Sequence, residues 1–104
     1  MSSPPRFVTF TDRQLQKKFK HAVDLGIAGS YSNESAKAFA EALIAHVSDA
    51  AVQQIAGTFR RRPVIHYFQD ATGIDVMTET DGTLISVWKL NDAQRQNLVE
   101  RGSL

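Results

Sequence analysis

Residues 58–89 leave this chain few folds to choose from. Runs rich in β-branched and aromatic residues, at 58–60, 64–68, 74–79 and 84–89, are separated by Arg62-Pro63, Asp70-Ala71-Thr72-Gly73 and Asp81-Gly82. These are turn-forming combinations. Parallel neighbours need a crossover of about a dozen residues or more, and these connections are far shorter. The pattern predicts a four-stranded antiparallel meander.

The first half has the helical period instead. Thr11-Asp12-Arg13-Gln14 has capping-box spacing. It predicts a helix to about residue 24 that stops at Gly26, with Leu15, Phe19, Ala22 and Val23 on its apolar face. After a loop, Ser32 caps a second helix running to about residue 47. Its stripe is Ala36, Phe39, Ala40, Leu43, Ile44 and Val47. A short helical turn is expected over residues 50–56, ended by Gly57, and Asn91-Asp92-Ala93-Gln94 opens a last helix that stops at Gly102. Helices followed by strands predict an α+β fold: N-terminal helices on one face of a four-stranded antiparallel sheet, with a C-terminal helix. The 104 residues suffice for one small domain. Residues 1–6, with Pro4-Pro5, read as a linker and residues 7–104 as the folded unit.

Composition removes several chemistries. Without cysteine there is no disulfide, thiolate metal site or cysteine nucleophile. No apolar run is long enough to span a membrane. No pair of histidines has metal-ligand spacing on one helix, and no glycine-rich phosphate loop occurs, so no metal or cofactor is expected. Net charge is only +1, but its distribution is uneven. Arg13, Lys17, Lys18 and Lys20 come with no acid among them, and Arg60-Arg61-Arg62 is a second basic cluster. A polarised surface follows, of a kind that can hold an anionic polymer.

His21 lies at the end of the first cluster, in Lys17-Lys18-Phe19-Lys20-His21. Like charge disfavours the imidazolium, so its pKa is expected below about 6.5. Two readings stay open: a solvated basic helix face, to which pattern alone leans, and an acid–base residue with lysines to hold phosphate. On an ideal α-helix Lys18 and Lys20 project about 200° apart, whereas Lys17 stays near His21. His46, beside the stripe of the second helix, reads as a dipole partner or core-edge residue. His66, within a strand, is either a satisfied sheet residue or one facing a groove. Ser86 and Trp88 share one strand face. Trp88 is open between a core aromatic and a base-stacking platform, and Arg60-Arg61-Arg62 between a solvated turn and a backbone clamp.

Several of these segments together resemble the colicin D family of nuclease domains. The resemblance is carried by Lys18-Phe19-Lys20-His21, Pro63-Val64-Ile65-His66-Tyr67-Phe68, Thr72-Gly73-Ile74-Asp75-Val76-Met77, Asp81-Gly82, Ser86-Val87-Trp88-Lys89-Leu90 and Arg101-Gly102-Ser103-Leu104. It extends over most of the chain from Leu15 onward. Related domains occur at the C-termini of contact-dependent growth-inhibition toxins. The resemblance implies a barnase/EndoU/colicin/RelE-like fold and a metal-independent endoribonuclease that cuts tRNA in its anticodon loop, leaving a 2′,3′-cyclic phosphate and a 5′-hydroxyl. It implies His21, Lys18, Lys20 and Ser86 as catalytic residues. Trp88, Lys17, Arg60, Arg61 and Lys89 complete the expected set on the substrate side. Expected partners are tRNA, an acidic immunity protein and a larger delivery protein. The domain would be secreted or surface-delivered and act in the target cell's cytoplasm. Val87 stands where the family often has glycine, and residues 26–58 match least, so the identity of the tRNA does not carry over. Rival functions on the same basic surface are a non-catalytic RNA-binding domain and a nuclease of this fold acting on ribosome-bound messenger RNA.

Overall fold

The computed structural model describes residues 6–104; the remainder of the expected linker, residues 1–5, lies outside the described residues. The order of elements is α1 (Asp12–Lys18), a 3₁₀ helix (Phe19–Leu25), α2 (Asn33–Ser48), β1 (Gln53–Phe59), β2 (Arg62–Gln69), β3 (Ile74–Thr78), β4 (Leu84–Lys89) and α3 (Asp92–Arg101). The strands form one antiparallel sheet in the order β1-β2-β3-β4. This is the expected α+β fold. Among the described residues no helix is long and apolar enough to cross a membrane.

Local signals set the helix boundaries. Thr11 and Gln14, Ser32 and Ser35, and Asn91 and Gln94 each form reciprocal capping boxes. Gly26 ends the first helical stretch at φ 83°, a left-handed conformation that favours glycine. The Ile27 amide there donates to the Ala22 carbonyl at 3.1 Å, closing the last turn.

The expected single helix over residues 12–24 instead tightens after Lys18 into a seven-residue 3₁₀ segment. Phe19, Ala22 and Leu25, three residues apart, then align on the side that meets the core. Val23 moves off that side and is exposed, contrary to its expected place on the apolar face. Phe19 anchors the segment by edge-to-face contacts with Tyr31 and Phe39, at 5.3 and 5.8 Å between ring centroids. Ile44, also expected in the apolar stripe, is exposed on α2.

Two expectations about β1 are corrected. Residues 50–56 do not form a helical turn. The Ala51 amide donates to Asp49 Oδ1 and the Val52 amide to the Asp49 carbonyl, which reverses the chain, and β1 then starts at Gln53. Alanine and glutamine carry little β preference of their own; pairing with β2, from Gln53↔Phe68 to Phe59↔Arg62, decides their conformation. The turn is also not at Arg62-Pro63. Arg60 and Arg61 form a two-residue hairpin turn with φ 50° and 69°, and Pro63 lies within β2 opposite Thr58. Thr58 spends its amide and carbonyl on the C-terminal tail, so the missing N–H of Pro63 costs no bond to β1.

Side-chain alternation divides the core. Tyr67, Val76 and Val87 face Leu15, Ala22, Phe39, Leu43 and Val47 of the N-terminal helices. Phe68 faces the other way, with Leu90 and Leu98. Thus the N-terminal helices cover one sheet face, whereas α3 covers part of the second; the helices do not all lie on one face. Both sheet edges are partly covered. Thr9 bonds to Gly82 and Leu84 beside β4, and residues 102–104 run parallel to β1 through Thr58 and Arg60.

Candidate active site

The 3₁₀ winding sets the geometry of the basic cluster. At three residues per turn, Lys18, His21 and Asp24 stack along one side, and Lys20 projects from the next. The short-way angle between Lys18 and Lys20 falls from about 160° on an α-helix to about 120° on this winding. His21 is half-buried. Its pKa is lowered first by loss of solvent and then by the ammonium groups of Lys20 and Lys18, with Asp24 opposing. The Lys18 pKa is also lowered, by burial and by Lys20 and Lys17. Lys17 therefore acts on Lys18, while Lys18 and Lys20 act on His21.

This segment packs along β4, the strand that carries the other candidates. Asp24, one 3₁₀ turn beyond His21, accepts from the Lys89 amide at 3.3 Å and caps the free edge of β4. The Lys89 side chain is exposed. Ser86 pairs with Met77 and Trp88 with Asp75, which puts both side chains on the sheet face opposite the N-terminal helices. A β-bulge between β3 and β4 lies next to Ser86. Ser86 is buried and Trp88 half-buried.

Trp88 is held from two sides. Its Nε1 donates to Gln94 Oε1 of the α3 capping box at 3.4 Å, and its ring lies 6.0 Å from that of Phe59. The Arg60 guanidinium sits over the Phe59 ring at 5.0 Å. Phe59 thereby joins the arginine hairpin to the face bearing Ser86 and Trp88. Arg61 is exposed at the tip of that hairpin. Left-handed backbone costs a residue with a Cβ about 1–2 kcal/mol, and two adjacent arginines adopt it here. A cleft of about 150 Å³ opens beside them, lined by Phe59, Arg60, Pro63, Val64, Glu79 and Ile85.

The other two histidines are interior. His46 is buried and its Nε2 donates to the Tyr67 carbonyl at 2.8 Å; burial lowers its pKa against the pull of that bond and of Asp75 and Asp49. His66 is fully buried, with Nδ1 2.8 Å from Asp75 Oδ2 and Nε2 3.1 Å from the Thr58 carbonyl. Among the described residues no three carboxylate or imidazole groups gather as a metal site.

Sequence reasoning missed Phe59, Asp24, Gln94 and Asp75. Asp24 was findable three residues after His21 had the 3₁₀ winding been foreseen. Asp75 stands out as an acid inside an apolar strand. Phe59 and Gln94 reach Trp88 only through the tertiary fold.

The comparisons with known proteins bear on the family and the fold. A chain from Escherichia coli described as a ribonuclease complexed with its inhibitor protein shares the fold with a TM-score of 0.78 and 35% identity, over 88% of this chain and all of that one. Colicin-D of Escherichia coli is 36% identical over 99 residues, covering 91% of this chain and 14% of its own length. The chain thus spans about one-seventh of that relative. The profile of the family described as Colicin D matches residues 14–98, and the chain belongs to that family.

Proposed function

We propose that the chain is the nuclease domain of an antibacterial toxin, an endoribonuclease that cuts tRNA in the anticodon loop by attack of the ribose 2′-hydroxyl. The observation that carries this reading is the 3₁₀ segment, which stacks His21 over Lys18 with Lys20 on the adjoining side, beside the strand bearing Ser86 and Trp88. Membership of the Colicin D family and the likeness to a ribonuclease support it.

RNA brings its own nucleophile, so the chain needs an acid–base group and cations rather than a nucleophilic side chain. Burial and the Lys20 and Lys18 charges favour the neutral form of His21, which would serve as general base for the 2′-hydroxyl proton or, once protonated, as general acid. As the 2′-oxygen bonds to phosphorus, the bond to the 5′-oxygen breaks, and that oxygen takes up a proton from water while the imidazolium returns its own to solvent. The products are a 2′,3′-cyclic phosphate and a 5′-hydroxyl. Lys18 and Lys20 stabilise charge on the pentavalent phosphorane, and Ser86 donates to a phosphate oxygen. Trp88, braced by Phe59, stacks a loop base, while Lys17, Lys89, Arg60 and Arg61 hold the flanking backbone. An acidic immunity protein fits such a surface in the producing cell. A larger delivery protein would carry the domain to the target cytoplasm.

The test is incubation with total bacterial tRNA in the presence of a chelator, with end mapping. The expected result is new 5′-hydroxyl ends within anticodon loops, lost in His21→Ala while its circular dichroism is unchanged. Undiminished cutting by that variant would refute the assignment of His21.

A further inference from the structure

His66 and Asp75 have no part in the reaction just described, yet both are fully buried on the groove face of the sheet. The Thr58 carbonyl only accepts, so His66 Nε2 carries a hydrogen and donates to it. At Nδ1 the ring shares a hydrogen with Asp75 Oδ2. The imidazole thus bridges the sheet from β3 to β1 across β2. Asp75 Oδ1 is buried without a partner among the described residues, which leaves the carboxylate dependent on His66.

The two ends of this bridge meet the two halves of the candidate site. Asp75 is the strand partner of Trp88. Thr58 immediately precedes Phe59, which packs on Trp88, and the arginine turn follows. The Thr58 carbonyl also accepts from the Leu104 amide, and the Leu104 carbonyl accepts from the Arg60 amide. The left-handed arginine pair is therefore fixed from behind through one residue, and His66 ties that residue to β3.

We infer that the bond from His66 to Thr58, with Asp75 behind the ring, is a positioning relay that sets the arginine hairpin against Trp88 for gripping RNA. The inference rests on the reading of this face as an RNA site. His66 and Asp75 touch no substrate; they act through Thr58.

The two amide replacements of His66 separate the relay from simple core packing. An asparagine side chain reproduces the Nδ1 donor, keeping the bond to Asp75 and losing the tie to Thr58. A glutamine side chain reproduces the Nε2 donor and keeps the tie. Kinetics on total bacterial tRNA, measured below the unfolding temperature of every variant, should show His66→Asn with KM raised about tenfold and kcat within about threefold of wild type. His66→Gln should hold KM within about threefold. Amide exchange at Phe59, Arg60 and Arg61 should quicken in His66→Asn and not in His66→Gln. If His66→Gln does not fold, Asp75→Asn retains the ring and its bond to Thr58 and takes its place in the comparison. Equal effects of the two replacements on KM, or a fall in kcat alone, would overturn the relay. If wild-type protein leaves all tRNA uncut, the nuclease reading fails, and the exchange comparison alone decides the relay.

Discussion

Replacing Gly57 with alanine is expected to lift the C-terminal tail off the sheet. A Cβ at position 57 would collide with the Gly102 carbonyl, which is backbone and cannot swing aside. The tail is held by Thr58 N–H to Gly102 O at 2.8 Å, Leu104 N–H to Thr58 O at 3.0 Å and Arg60 N–H to Leu104 O at 3.0 Å. At about 0.5–1.5 kcal/mol each, these bonds are worth roughly 1.5–4.5 kcal/mol. Leu104 also packs, half-buried, against the cluster of Phe68, Leu90 and Leu98 and adds about 1 kcal/mol. Against this, alanine at a compatible extended position gains about 0.4–1 kcal/mol by restricting the unfolded chain. The net loss is about 1.5–5 kcal/mol, or about 6 °C or more in Tm for a domain of this size. Urea unfolding gives the first number, and amide exchange at Thr58 and Arg60 shows whether the tail has left. The control is the same substitution in a chain lacking residues 102–104, where alanine should be neutral or stabilising. A loss below about 0.5 kcal/mol in the full chain, with both amides still protected, would refute the close-approach argument.

The acid limb of kcat/KM should lie below pH 6.5, since burial and then the charges of Lys20 and Lys18 lower the His21 pKa. Lys20→Met should move it up and Asp24→Asn down, as titration of cleavage rate would show. For stability the sign is set by His46, whose folded pKa is also lowered: the unfolded chain takes up its proton first, so stability should fall as pH drops below about 6.5 and level off beneath the folded pKa. Urea midpoints across that range check this, and a stability that rose on acidification would contradict it. Changing Arg60 to Asn and Arg61 to Gly supplies residues suited to a left-handed hairpin turn and should stabilise by about 1–3 kcal/mol while weakening RNA binding, both measurable on one preparation. Affinity for tRNA should also drop steeply with salt through counterion release, and a flat dependence would oppose a role for the basic surface.

What the sequence discloses here is mainly what neighbouring residues decide among themselves. The capping pairs at Thr11 and Asn91, the stops at Gly26 and Gly102 and the strands β2, β3 and β4 all have signals within a few residues. The winding after Lys18 is not disclosed, because Phe19 pairs with Val23 at α spacing as readily as with Ala22 at 3₁₀ spacing; contacts with Tyr31 and Phe39 select the latter. The start of β1 depends on strand β2 and the tail, both distant in sequence. Two arginines at positive φ run against every turn preference, so the hairpin was expected two residues late. In the candidate site, the lysine–histidine run is visible as a string of letters. The brace of Trp88 by Phe59 and Gln94 exists only once the sheet has formed.

The partly covered sheet edges also imply an order of assembly. The meander joins strands that are consecutive in sequence, so its loops close at low entropic cost and it can form early. The bonds that cover its edges join Thr9 to Gly82 and Leu84, and Thr58 to residues 102–104, and they must wait until distant segments arrive. In native-state exchange the two ends should therefore open as separate, low-energy units while β2 and β3 stay closed to the global limit. A chain stopped before those last steps would have its hairpins in place and both outer strands bare, the state in which two copies could pair edge to edge.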